Sequence, residues 1–139
     1  YLAIDVFLLF GLMGVYFAYR ARLGVFGFVS FAIAEAGIAS IVGPDGPSTY
    51  GIDTYQLGVL IITVGLTLFA IQLLVTRTGP LWAPVCWIAS TVIGVGATAG
   101  GNPEVGFLAG GVLFALGFIA AGVALWRPAS LEASAASSR

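Results

Sequence analysis

The chain has no histidine, no lysine and a single cysteine, Cys86, and only 8% of its 139 residues are charged. Without histidine, the Ser-His-Asp and Cys-His arrangements of nucleophilic hydrolases are excluded. The imidazole-based ligand sets for haem, copper and zinc fall with them. One cysteine excludes an intrachain disulfide. Five arginines against six acids leave a net charge of -1, so no broadly basic surface exists for nucleic acid or for bulk attraction to anionic lipid. No glycine-rich run leads into a lysine, as a phosphate-cradling loop requires. Asp45 and Asp53 share a Pro/Gly-rich loop, but two carboxylates fall short of the six to eight oxygens that calcium takes. The expectation is a chain that is not an enzyme, holds no cofactor or metal and binds no nucleic acid.

What the chain has in abundance is apolar surface: 60% of its residues are hydrophobic and the mean hydropathy is +1.08. Soluble domains carry about 25% charged residues, so this composition belongs in a bilayer. A membrane helix needs about 20 mostly apolar residues. Five segments qualify, Leu2–Tyr19, Gly24–Val42, Tyr55–Val75, Leu81–Ala99 and Val105–Trp126. The first run lacks a basic flank and a small-residue cleavage site, and so reads as a span instead of a signal peptide. Between the five lie "RARLG", "GPDGPSTYGIDT", "TRTGP" and "GGNPE", whose Gly, Pro, Asn and Asp favour turns. The predicted fold class is thus an all-α integral membrane protein, a single five-helix transmembrane bundle over residues 1–127.

The charges assign its orientation. Arg20, Arg22, Arg77 and Arg127 follow odd-numbered spans, whereas Asp45, Asp53 and Glu104 fall between the others and Asp5 lies at the start of the first. Arginine-bearing segments stay in the cytoplasm, which predicts an outside N-terminus and a cytoplasmic C-terminus. Pro128 is expected to stop the last helix, leaving residues 128–139 as a disordered cytoplasmic tail. "RLG" at Arg22–Gly24 and "RTG" at Arg77–Gly79 form a weak internal repeat, each opening a return span. The expected location is the cell membrane of a prokaryote.

In lipid the hydrophobic effect does not draw helices together, and small residues that permit close van der Waals contact mark the seams. Ala32, Ala36 and Ser40 make one such ridge on the second predicted span. Gly106 and Gly110 stand in GxxxG spacing on the last, with Gly111 one residue round. Tyr16, Tyr19, Trp82, Trp87 and Trp126 suit interfacial belts. Hydroxyls at Ser30, Thr63, Thr67, Ser90 and Thr91 are expected to bond their own helix or a neighbour.

Glu35 is the one acid between Gly24 and Val42. A charge at that depth costs a few kcal/mol, and no intramembrane Lys, Arg or His stands ready to pair with it. Burial without a counter-charge favours the neutral acid. An interhelical hydrogen bond beside the Ala32/Ala36/Ser40 ridge is the leading expectation, and a proton or cation pathway through Glu35 and the hydroxyls is the alternative. The functional expectation is a non-catalytic accessory subunit or assembly partner of a larger membrane complex, associating with other membrane subunits or with itself. A small oligomeric channel or transporter is the rival, and a lipid, carotenoid or quinone binder a weaker one.

Overall fold

The computed structural model describes residues 2–42 and 54–137; the loop bearing Asp45 and Asp53 lies outside them. Four helices make up the described residues: α1 Leu2–Ile41, α2 Thr54–Val75, α3 Trp82–Ala99 and α4 Pro103–Ser137. There is no strand among them. Each helix contains a stretch long and apolar enough to cross a membrane. Even the 18 residues of α3 reach about 27 Å. Helices satisfy their own backbone hydrogen bonds, which is what hydrocarbon demands of a spanning segment. These are the dimensions of an all-helical, multi-pass membrane protein.

The element count differs from the sequence expectation at one place. The predicted spans Leu2–Tyr19 and Gly24–Val42 belong to one element, α1, and "RARL" between them is helical instead of forming a loop. Arg, Ala and Leu are strong helix formers, so nothing before Gly24 ends the helix. Only Gly24 leaves helical geometry, at φ 60° and ψ -164°, a conformation that a residue without a Cβ adopts at little cost. The result is a sharp bend. Tyr16 and Phe31 stack with ring centroids 4.3 Å apart, although in a straight helix their Cα atoms would stand about 22 Å apart. The two arms of α1 therefore fold back toward each other, and Leu12 on the first arm is fully buried.

The contacts resolve the chain into two compact units, 1–78 and 79–139. In the first, α2 runs antiparallel to the second arm of α1, and glycine sets the spacing. A Cβ on Gly65 would collide with the backbone of Ala34, its Cα only 2.7 Å away. A Cβ on Gly37 would sit 3.0 Å from the carbonyl oxygen of Gly58 and against Ile62. The seam thus runs through Ala34, Gly37 and Ile38 on α1 and Gly58, Ile62, Gly65, Leu66 and Phe69 on α2, all of them buried. At the bend, the Gln72 side-chain amide donates to the Leu23 carbonyl at 3.1 Å. That bond ties α2 to the carbonyl just before Gly24, where the helical ladder is broken.

Beyond Val75 the backbone closes α2 with a Schellman turn, Thr78 N–H donating to Leu73 O at 3.0 Å and Arg77 N–H to Leu74 O at 3.1 Å. Arg77 occupies the left-handed position (φ 50°), where a side chain costs about 1 kcal/mol relative to glycine. The second unit repeats the device between α3 and α4. Asn102 N–H donates to Ala97 O at 2.9 Å and Gly101 N–H to Thr98 O at 3.1 Å, here with a glycine, Gly101 (φ 81°), in the left-handed position. Pro103 then opens α4 at a position whose N–H would have no helical partner. The backbone of α4 remains helical to Ser137, past Trp126 and through Pro128, where the sequence reading placed a stop. The residues after Pro128 include Ala, Leu and Glu, which sustain a helix once formed.

In this second unit, Gly106 and Gly110 form the close seam expected of their spacing. A Cβ on Gly106 would lie 2.8 Å from the Gly94 carbonyl oxygen, and one on Gly110 3.2 Å from that of Ser90. Gly111 takes no part: it is exposed, and nothing lies within 4 Å of a Cβ built on it. One residue is about 100° of helical rotation, which turns it out of the interface. Further along, the buried indole of Trp87 lies on Gly117 and packs against the Phe118 ring at 5.1 Å. Glycine opposite tryptophan lets a large ring fill the space between two helix backbones.

These contacts separate two kinds of glycine. Gly65→Val should lower stability by about 1–3 kcal/mol through overpacking against the Ala34 backbone. Gly111→Val, with open space around it, should stay within about 0.5 kcal/mol of the parent. Thermal unfolding of both variants in the same detergent measures the difference.

Candidate functional site

The residues singled out by sequence divide between the two units. Glu35, Ser30, Thr63 and Thr67 lie in the first, Ser90 and Thr91 in the second. Most of the hydroxyls turn back on their own helices. Ser30 donates to Phe26 O at 2.9 Å, Thr63 to Val59 O at 2.8 Å and Thr91 to Trp87 O at 3.3 Å. This is the local bonding by which a hydroxyl satisfies itself in a helix. Ser90 differs: its hydroxyl crosses to α4 and donates to the Gly110 carbonyl at 2.7 Å. The absence of a side chain on Gly110 is what exposes that carbonyl. Thr67 is half-buried on α2.

The ridge expected to form a seam is not the stripe that α2 covers. Ala32, Ala36 and Ser40 are exposed, and α2 covers the neighbouring stripe of Phe31, Ala34, Gly37 and Ile38. Gly37 decides this. It allows a backbone-to-backbone approach that three Cβ-bearing residues do not, so the helix rotates glycine into the contact. Ser40 is satisfied within its own helix, donating to Ala36 O at 2.7 Å.

The acid is buried as well. Glu35 is 9% exposed. Both carboxyl oxygens are enclosed and without a hydrogen-bond partner among the described residues. The interhelical hydrogen bond expected for Glu35 is therefore not among the bonds these residues make. One turn before it lies Phe31, stacked on Tyr16 and 6.4 Å from the Phe69 ring. One turn before Tyr16 on the other arm lies the fully buried Leu12. The acid thus continues an apolar inner face formed by both arms of α1 and by α2. Two polar oxygens set into such a face lose their hydration with nothing returned, a cost of about 1–3 kcal/mol even for a neutral group.

Sequence reasoning missed three residues that position this face. Gly58 and Gly65 stand two helical turns apart on α2, a spacing that a search restricted to four-residue steps passes over. Gly37 sits inside the quoted ridge but off its register. Gln72, an amide within an apolar helix, is expected from sequence to bond its own helix or a neighbour, and it takes the neighbour. No known protein family, curated protein or solved structure matches the chain, so the site is read from its own geometry.

A buried acid without a partner makes a sharp expectation. Glu35→Leu keeps similar bulk and removes two unsatisfied oxygens, and should raise stability by about 1–3 kcal/mol. Denaturation in detergent measures it, and a loss of stability of that size would reveal a partner for the carboxyl.

Proposed function

We propose that this chain is a non-catalytic accessory subunit or assembly partner in a membrane complex, and that it associates through the outer ridge of Ala32, Ala36 and Ser40. The exposure of that ridge carries the reading. Its three small residues are exposed on the second arm of α1, beside the stripe covered by α2, with Ser40 at the edge near Gly58, and a second helix can approach Ala32 and Ala36 closely. The exposed surface around it is almost wholly apolar, including Val25, Phe28 and Val29, which suits lipid or other membrane helices equally. Polar sites of catalytic type are missing from the sequence itself.

The proposal includes the finer topology. Five crossings, an outside N-terminus and a cytoplasmic C-terminus in a prokaryotic cell membrane follow if the two arms of α1 each cross the bilayer. The bend at Gly24 and the arginines flanking it support this arrangement. Association is tested by crosslinking and by purification in mild detergent. The intact chain should retain a stoichiometric membrane partner, either another subunit or a second copy. Ala32→Leu with Ala36→Leu should weaken that association by about 10-fold or more, a change of about 1.4 kcal/mol. Recovery of the parent chain only as a monomer would overturn the reading.

A second reading rests on a different observation, the buried carboxyl of Glu35. Intramembrane acids are costly to keep and mark proton or ion pathways in many membrane proteins, and an unsatisfied buried group calls for an explanation. In this reading Glu35 carries a proton or cation through an oligomer. Chain reconstituted in liposomes should then pass protons or cations, and Glu35→Gln should abolish the flux. Flux that survives the substitution removes Glu35 from the pathway.

A further inference from the structure

Arg20, Arg22 and Arg77 are far apart in sequence, yet the first unit gathers them at one end. The Gln72–Leu23 hydrogen bond and the approach of Gln72 to Gly27 fix the end of α2 beside the bend in α1. Arg20 and Arg22 lie within a turn of Leu23, and Arg77 closes the Schellman turn that begins at Gln72 and Leu73. All three belong within about 10 Å of the bend along the helix axis. All three are exposed. Arg20 lies over the Phe17 ring, its guanidinium carbon 5.7 Å from the centroid, which restrains one cation without neutralising it.

Nothing acidic balances this end among the described residues of the first unit. Asp5 lies in the first turn of α1, about 22 Å from Arg20 by helical rise. Glu35 is buried and about 16 Å beyond Gly24 along the second arm. None of the three arginines has an ion pair among the described residues. The apolar span of α2 ends at Val75, close to the Gln72–Leu23 contact, and if each arm of α1 crosses the bilayer as proposed above, the bend lies at the edge of the hydrocarbon. Three unpaired guanidiniums at that depth are matched by an oxyanion that approaches from the same plane.

We propose that Arg20, Arg22 and Arg77 form a binding site for the phosphate headgroup of an anionic phospholipid. Guanidinium groups meet phosphate oxygens with paired, charge-assisted hydrogen bonds, and basic residues close to the membrane surface attract anionic lipid. The left-handed geometry at Arg77 fits the assignment, because glycine would close the same turn at lower cost and the chain holds an arginine there. The repeated Arg-x-Gly sequences gain a shared role, since Arg22 and Arg77 come to the same end of the first unit. The absence of a broadly basic surface is compatible with this. The site is local, and it exists only once the bend has formed.

The test uses the full chain in nanodiscs made with phosphatidylcholine, titrated with phosphatidylglycerol and followed by native mass spectrometry. The parent should hold phosphatidylglycerol in preference to phosphatidylcholine and lose that preference as ionic strength rises. Arg20→Gln, Arg22→Gln and Arg77→Gly combined should lower phosphatidylglycerol retention at least 10-fold while leaving phosphatidylcholine retention unchanged. Circular dichroism shows whether the variant keeps its helices, and Arg77→Gly alone removes one cation without straining the turn. It should lower retention about 5-fold. Equal retention of the two lipids by the parent, or full retention of phosphatidylglycerol by Arg77→Gly and by the combined variant, would overturn the proposal. Displacement of the lipid by millimolar inorganic phosphate would show a free-anion site instead and overturn the lipid assignment.

Discussion

Close approach of helix backbones at glycine is the constraint on which this structure depends. In lipid, burying apolar side chains between helices gains little over leaving them against acyl chains, so association rests on contact distance. Gly65 against Ala34, Gly37 against Gly58 and Ile62, and Gly106 against Gly94 each occupy space that a Cβ would fill. The rotation of every helix about its axis follows from these contacts. With Ala34 and Gly37 against α2, Ala32 and Ala36 are left exposed, and Glu35 lies on the same side of the helix as Phe31, which stacks on the first arm.

Polar groups then act where the helical ladder cannot satisfy itself. Gly24 interrupts the backbone of α1, and the Gln72 amide supplies a donor to the carbonyl before it. Ser90 instead adds a donor at Gly110, inside the unbroken helix α4, reaching a carbonyl that glycine leaves uncovered. Both bonds join helices of the same unit, and both sit beside a glycine. Glu35 is the exception to this economy, a polar group brought into an apolar face by the packing around it, with no bond among the described residues to offset its burial. A helix seam built only for stability has no need of it, which is why a role in proton or cation movement stands beside the assembly role.

Much of the architecture was legible in the chain. The all-helical, membrane-spanning character, the seam at Gly106 and Gly110, and the turns at "TRTGP" and "GGNPE" follow from hydropathy, small-residue spacing and turn chemistry. The break in α1 was also visible, as "RARLG", but its form was not. Arg20 to Leu23 read as a loop because they carry charge at a span boundary, whereas their helix propensity kept them helical and left the reversal to Gly24 alone. The ridge on the second arm failed for a related reason. Spacing of small residues identifies the stripes a helix has available, and only the partner's shape selects among them.

Composition by itself determined that this chain belongs in a bilayer, because a chain with so few charges and so much apolar surface has no other stable environment. It determined equally that histidine-dependent catalysis and an intrachain disulfide are out of reach, since no fold supplies residues that are absent. Tertiary structure alone decided that Glu35 is enclosed, that Ala32, Ala36 and Ser40 are presented outward, and that Arg20, Arg22 and Arg77 meet at one end. Each of these depends on helix rotation or on chain reversal. Those are set by glycine contacts between segments distant in sequence, and local pattern carries no record of which glycine meets which neighbour.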